Sequence, residues 1–414
     1  MSEYRRAVRR VKEYRSSLYS CTHSNKICLA MDEKFRILFV TTSDLSGSSG
    51  HNVATAEIVA AFGRNESILT AVVCPEPAED LPRKVSETVD TFYHFEDTDA
   101  SILGHAKVQL RLAPVLRRAM KMEKPGVIVA RHSPSSITPP LLTRAYGRPY
   151  FLLVRGLSHE KLRFSSILKR FFWLNVRLAD RVYVAYEEIK ERTQRIRKAS
   201  QTEAECFPNA VDPEGFSPIS VGKARERLEL GFNDEDFVVG FVGSLKDRHL
   251  IDQLLLGVKK VDGVGVLIVG DGPARGKLEE LVRTENVENK VVFAGKVKHS
   301  EVDRYISACD IMYGVVHPDI PSNPIKCYEY LATGRPVITS HKREFEFVER
   351  IGAGRTIETE DPQTIEEAIR EMKSSGRNEL LEMGERGREY VLENHTWDEL
   401  PKMILEDLKD YVDI

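Results

Sequence analysis

Ile37-Leu38-Phe39-Val40, then the Ser/Gly-rich loop 43–50, then a helical pattern from Asn52 to about Phe62 is the stretch on which the fold turns. Four consecutive apolar residues are too few for a helix and enough for a buried strand. The loop stops the run, and helical spacing begins directly after it. Strand, glycine loop and helix in that order form the opening unit of a parallel sheet covered by helices. Further strand candidates lie at 69–73, 127–130, 150–154 and 181–185, with helical stretches between them. Near-continuous apolar runs of this kind suit strands buried on both faces.

The pattern breaks at Phe207-Pro208-Asn209-Ala210-Val211-Asp212 and then restarts. Runs at 237–242, 264–269, 291–294, 311–315 and 337–340 read as a second strand series, again separated by helices. Two α/β units joined by a loop-rich hinge explain this better than one large sheet. The expected division is a basic extension over 1–33, an N-terminal domain over 34–208 and a C-terminal domain over 209–390. A closing helical segment over 391–414 is expected to pack back on the N-terminal domain.

The chain has 414 residues, 42% of them hydrophobic, which supports more than one sizeable core. A net charge of −3 gives no reason to expect nucleic-acid binding. The six cysteines are scattered, without a C-x-x-C pair or zinc spacing, as in a reducing cytoplasm. No apolar run approaches the roughly 18–20 residues that span a bilayer. The basic N-terminus lacks an apolar h-region, so no secretory signal is expected. Arg5, Arg6, Arg9, Arg10, Lys12 and Arg15 surround Tyr4, Val8, Val11, Tyr14 and Leu18 at helical spacing. This leader reads either as a floppy extension before Met31 or as a basic amphipathic helix on an anionic membrane. The expected location is the cytoplasm, with the inner face of the membrane as the alternative.

Several segments carry chemistry. Ser46-Gly47-Ser48-Ser49-Gly50-His51 leads into a helix N-terminus, where backbone N–H groups and the helix dipole favour an anion. Gly47 and Gly50 let a phosphate or sugar come close. The G-x-G-x-x-G fingerprint does not occur, so hydride chemistry is not indicated. Gly243-Ser244-Leu245-Lys246-Asp247-Arg248-His249 follows the first strand of the second series and places cations at a crevice. A diphosphate leaving group needs such charge. Gly270-Asp271-Gly272 forms a tight turn whose backbone is a candidate lining; the following residues fail the P-loop pattern, since Leu278 replaces Ser/Thr. Ser322, Asn323, Pro324, Ile325 and Lys326 open another helix, and Glu329 lies further along it, suited to two ribose hydroxyls. Asp97-Thr98-Asp99 spells a short metal-binding pattern but reads better as an acidic surface loop. Residues 161–177 mix Lys and Arg with Phe164, Phe171, Phe172 and Trp173; a core-facing helix is the first reading and membrane contact the second.

In this order the segments resemble glycosyltransferase family 4, retaining enzymes of GT-B architecture, over roughly residues 34–405. The resemblance rests on F-P-N-A-V-D-P-E-G-F from Phe207, V-G-F-V-G-S-L-K-D-R-H-L-I-D from Val239, Val269 to Pro273, Val292-Phe293-Ala294-Gly295, and K-C-Y-E-Y-L-A-T-G-R-P-V from Lys326. Trp397 also fits the family's closing segment. It implies two Rossmann-like domains facing across a cleft. A nucleotide-sugar donor would lie mainly on the C-terminal domain and a glycan, lipid or small-molecule hydroxyl acceptor on the N-terminal one, with a membrane surface as a further partner. By resemblance, Glu329 matches the ribose-binding glutamate. Arg248 and His249 fall where a basic pair meets the diphosphate, so His249 partly substitutes for charge there. Ser244 replaces an arginine found in many members. Gly47 and Gly50 lie near the phosphates, and His132 in Arg131-His132-Ser133 meets the donor sugar. The family's first glutamate falls on Pro321. Subgroups with an S-P-x-K-x-x-E-Y pattern share this change, and there the amides of 322–325 and Lys326 take over. Arg248, Lys326 and His132 are therefore the expected catalytic group, with no metal and no cofactor. A non-catalytic nucleotide-sugar-binding subunit and a sugar-nucleotide epimerase share the architecture and stand as alternatives.

Overall fold

The computed structural model describes residues 27–28, 34–47, 49–96, 102–134, 136–157, 165–199, 201–233, 235–317 and 324–413. Ser48, Asp97-Thr98-Asp99, Pro321, Ser322, Asn323 and most of the basic leader lie outside the described residues.

The opening run forms β1 (Phe35–Val40), an inner strand of a seven-stranded sheet. Its companions are β2 (Ile68–Pro75), β3 (Thr91–Phe95), β4 (Val127–Arg131), β5 (Tyr150–Val154), β6 (Arg181–Val184) and β7 (Glu205–Cys206). They lie in the order β3-β2-β1-β4-β5-β6-β7, every pair parallel. The covering helices are α1 (Gly50–Arg64), α2 (Arg83–Ser86), α3 (Ile102–Glu123), α4 (Thr138–Ala145), α5 (Ser165–Leu178) and α6 (Glu187–Gln194). Alternate residues of one strand serve opposite layers. Ile37 and Phe39 pack with α1, while Leu38 and Val40 pack with α3 and α5. Both faces are therefore buried, which is why β1 is apolar apart from Arg36 near its start.

The second series builds β8 (Phe237–Val242), β9 (Val264–Val269), β10 (Val291–Gly295), β11 (Ile311–Tyr313), β12 (Val337–Ser340) and β13 (Gly354–Ile357). These form a six-stranded sheet in the order β10-β9-β8-β11-β12-β13, again parallel. Its helices are α7 (Val221–Leu228), α8 (Ile251–Lys259), α9 (Arg275–Thr284), α10 (Val302–Ser307), α11 (Ile325–Ala332), α12 (Glu346–Arg350) and α13 (Pro362–Ser374), followed by the long α14 (Gly376–Asn394).

The chain then returns. Val211 donates to the His395 carbonyl at 2.9 Å, and α15 (Glu399–Leu408) buries Leu400, Ile404 and Leu408 in the core that holds Phe39 and α1. Arg64 of α1 pairs with Asp398 at 2.6 Å. A short parallel pair also joins Ile27–Cys28 to Val412–Asp413.

Both sheets reverse their winding beside the first strand, between β1 and β4 and between β8 and β11. Ligands of open α/β sheets bind outside the carboxyl ends of the strands at such a point. The two points face each other: a Cβ at Gly50 would lie 4.0 Å from Ile325 Cγ2, the first residue of α11.

Candidate functional site

The N-terminal half of the site is the loop between β1 and α1. Asp44 Oδ1 accepts from the backbone N–H of Ser46 at 2.9 Å and from its hydroxyl at 2.6 Å, which closes the turn. At Gly47 a Cβ would stand 2.0 Å from Asn52 Nδ2, so a larger residue there would displace the Asn52 side chain. Ser49 caps α1, its hydroxyl accepting from Asn52 N at 3.3 Å.

Arg131, the last residue of β4, anchors this loop. Its guanidinium donates to the His51 carbonyl at 2.6 Å and to His51 Nδ1 at 2.8 Å. A guanidinium can only donate, so Nδ1 accepts and the ring proton sits on Nε2, 2.8 Å from Ser43 Oγ. Burial, reinforced by Arg131, takes the His51 pKa down to about 3, so the ring is neutral. Arg131 is buried with no carboxylate in ion-pair range among the described residues, and burial lowers its own pKa to about 9. Sequence reasoning singled out the next residue, His132. That ring is buried on the α5 side, edge-on to Phe172 at 5.0 Å. The position of Arg131 at a strand's carboxyl end is the sequence feature that marks this pair.

The C-terminal half gathers around Gly243. This residue directly follows β8 at φ +147°, and a Cβ there would lie 3.1 Å from Lys326 Nζ. Lys326 is 9% exposed. Its amine sits 3.9 Å from the Phe241 ring centroid and 3.5 Å from His249 Nδ1. No carboxylate stands in ion-pair range of it among the described residues. Burial lowers its pKa to about 7, with Arg248 pushing the same way against Cys327 and Glu329. His249 is buried too. Burial first, then Lys326, Arg248 and Lys246, depress it to about 2. The expectation that His249 supplies positive charge is therefore corrected: it is a neutral ring facing two cations, Lys326 and, at 3.4 Å, Arg248 Nε. A neutral imidazole accepts from one of them only.

Ser244, Lys246 and Arg248 are exposed at the rim. Gly272 supports this loop from behind. Leu245 donates to the Asp271 carbonyl at 3.0 Å, and a Cβ at Gly272 would come within 2.4 Å of Leu245 O. The tight turn thus packs under residues 243–245.

α11 carries the remaining groups. Tyr330 fastens it to β8, its hydroxyl donating to Val242 O at 2.9 Å and accepting from Val242 N at 2.8 Å. Lys326 and Glu329 are three apart and share a helix face. Glu329 is buried, and burial raises its pKa; His299 Nε2 lies 4.0 Å from Oε1. Ile325 reaches across to the N-terminal core and Gly50. The N-termini of α1 and α11, Arg131, Lys326, Arg248 and Lys246 therefore converge on one space with a positive field, suited to a polyanion.

Comparison with known proteins agrees with this architecture. The family model for glycosyl transferases group 1 matches residues 222–390. A GDP-mannose-dependent alpha-(1-6)-phosphatidylinositol monomannoside mannosyltransferase of Mycobacterium tuberculosis is 27% identical over 50% of this chain and 55% of its own. A D-inositol 3-phosphate glycosyltransferase of Mycobacteroides abscessus is 27% identical over 39% of this chain and 37% of its own. The chain spans about half the length, or less, of these curated relatives. Among solved structures, sucrose-phosphate synthase of Thermosynechococcus elongatus superposes with a TM-score of 0.73 at 17% identity, covering 91% of this chain and 99% of that one. Anabaena HepE in complex with UDP gives 0.72 at 16%, covering 91% and 100%. At such identity the structures establish the shared fold. Residues 222–390 thus match the glycosyl transferases of group 1, and the chain shares the two-domain GT-B fold of the solved structures.

Proposed function

We propose that the chain moves a sugar from a nucleotide-diphosphate sugar to a hydroxyl acceptor, with retention at the anomeric carbon and without a metal. The observation that carries this reading is Lys326, a buried amine lacking a carboxylate partner, set against Gly243 at the N-terminus of α11. Negative charge grows on the diphosphate as its bond to the sugar breaks, and a cation held in a dry site stabilises it there. The diphosphate in turn supplies the counter-charge that Lys326 lacks. Lys246 and Arg248 at the rim add to the field. Glu329, one turn along α11, is placed to accept from two ribose hydroxyls. Arg131 and His51 hold the glycine loop against the phosphates. The N-terminal crevice presents the acceptor, whose hydroxyl passes its proton to a phosphate oxygen on the same face of the sugar. The protein thus works by position and charge rather than through a general base.

UDP accompanies the Anabaena structure and GDP-mannose names the mycobacterial relative, so calorimetric titration with both UDP and GDP is the first test. Glu329→Ala is expected to weaken the bound nucleotide at least tenfold, about 1.5–3 kcal/mol for hydrogen bonds to a charged group. Unchanged binding and turnover in that variant sinks the site assignment. Product analysis by NMR with a panel of UDP- and GDP-sugars then reads the anomeric configuration. Donor bound but never turned over would identify a binding subunit. Isomerised sugar nucleotide formed without acceptor would identify an epimerase.

A further inference from the structure

Three helices cover one face of the N-terminal sheet. α3 and α5 send Val108, Leu112, Leu116, Phe172 and Val176 into a shared core, and Gln109 of α3 accepts from Thr138 N of α4 at 3.0 Å. Their outer surface is unusual in two ways. It holds five of the six large apolar side chains that stand exposed among the described residues: Leu110, Met122, Leu141, Ile167 and Trp173. The same helices carry nine Lys and Arg against one acidic residue, Glu123. That carboxylate is engaged by Arg36 at 2.5 Å and Tyr93 at 2.7 Å. Among the described residues, Glu96 also meets the patch, 3.1 Å from Arg111. In a chain of net charge −3, this is a marked concentration of positive charge.

Folding leaves these apolar groups in water, 75% exposed for Leu110 and 47% for Trp173. Cations and apolar groups also interleave on one helix: Lys107, Leu110, Arg111, Arg118, Lys121 and Met122 all lie on the exposed side of α3. Arg177 sits 5.2 Å from the Trp173 ring centroid, a pairing suited to the level of lipid head groups. Nucleic acid would use the charge but not five scattered aliphatic and aromatic groups; an anionic bilayer uses both.

We infer that the outer face of α3, α4 and α5 docks on an anionic membrane surface. Leu141 and Ile167 lie in the first turns of α4 and α5, which open at the carboxyl ends of β4 and β5. The docked face therefore borders the acceptor side of the cleft, and the acceptor is the head group of a membrane lipid. Only this last step rests on the glycosyl-transfer reading.

The test uses the full chain with vesicles of phosphatidylcholine alone and of phosphatidylcholine with phosphatidylglycerol. Flotation should recover the protein with anionic vesicles only. Trp397 is fully buried, and the chain has two tryptophans, so a blue shift on binding reports Trp173. The triple variant Arg117→Gln, Arg118→Gln, Lys121→Gln should bind about a hundredfold more weakly, on the order of fivefold per cation. Trp173→Ser should lose the shift and part of the binding, while both variants keep nucleotide affinity and donor hydrolysis. Equal flotation with neutral vesicles, or unchanged binding in the triple variant, overturns the inference. So does tighter binding to a DNA duplex than to anionic vesicles at the same salt. Membrane binding that survives Glu329→Ala, with transfer lost, separates this surface from the donor site.

Discussion

Replacing Lys326 by methionine is expected to stabilise the ligand-free protein and to slow nucleotide-sugar turnover severely. The amine is almost wholly buried, touches the Phe241 ring, and shares its polar neighbour His249 with Arg248. Folding therefore disfavours its charged form, and the pKa falls from 10.5 to about 7. The sign follows from proton counts. Between about pH 7 and 10.5 the unfolded chain holds this proton and the folded one does not, so stability rises with pH across that window. Below about pH 7 the penalty is present in full. Methionine keeps the volume and removes the charge, a change that typically yields about 1–4 kcal/mol at sites of this kind. Thermal melts of both proteins on either side of neutrality should show a gain for the variant that is largest on the acid side. Turnover should fall by about 10²–10³, the usual cost of losing a preorganised charge from a leaving group. The same titration makes donor binding proton-linked: affinity for UDP or GDP should decline above about pH 7 in the wild type, because the neutral amine attracts no phosphate. A less stable Lys326→Met that still turns over donor would refute the assignment.

Much of this site was legible in the sequence because its parts are local. A strand, a glycine and a helix N-terminus follow one another in the chain, so Gly50, Gly243, Lys326 and Glu329 could be placed before any contact was known. The strands that sequence reasoning passed over are β3, β7 and β13, all at sheet edges. There, one side faces solvent, and Thr91–Phe95 is accordingly half-buried rather than continuously apolar. The other misreadings come from burial. His249 looks like a cation in sequence because it follows Arg248 in a basic loop. Its neutrality is set first by burial and then by Lys326, from a helix 77 positions away. Arg131 was obscured in the same manner, since its partner His51 is 80 residues earlier. Periodicity finds elements; it does not report which side chains from two elements exclude water from each other.

Trp397→Ala should loosen the join between the domains far more than the domains themselves. The indole is fully buried against Phe207, 6.1 Å between rings, at the point where the chain crosses back to the N-terminal domain. Arg155, following β5, lies 5.6 Å from the Phe207 ring and 5.7 Å from that of Trp397. The same guanidinium donates to the Phe207 carbonyl and, at 2.5 Å, to Asn209 Oδ1. One aromatic–cation stack thus ties β5, the hinge and the return segment together. Truncation to alanine is expected to cost about 3–5 kcal/mol through lost burial and the cavity left behind. It also removes one face of the stack that holds Arg155, which burial already makes costly to keep charged. The nucleotide groups on α11 and the loop after β8 are fastened separately, through Tyr330 and Val242. Nucleotide affinity measured by calorimetry should therefore hold while the melting temperature and turnover both drop. Limited proteolysis should cut fastest near 391–398, ahead of α15. An unchanged melting temperature would mean that Leu400, Ile404 and Leu408 seat the return helix unaided. Nucleotide binding lost in step with stability would mean that the two halves fold as one unit, with no separate fastening of the donor side.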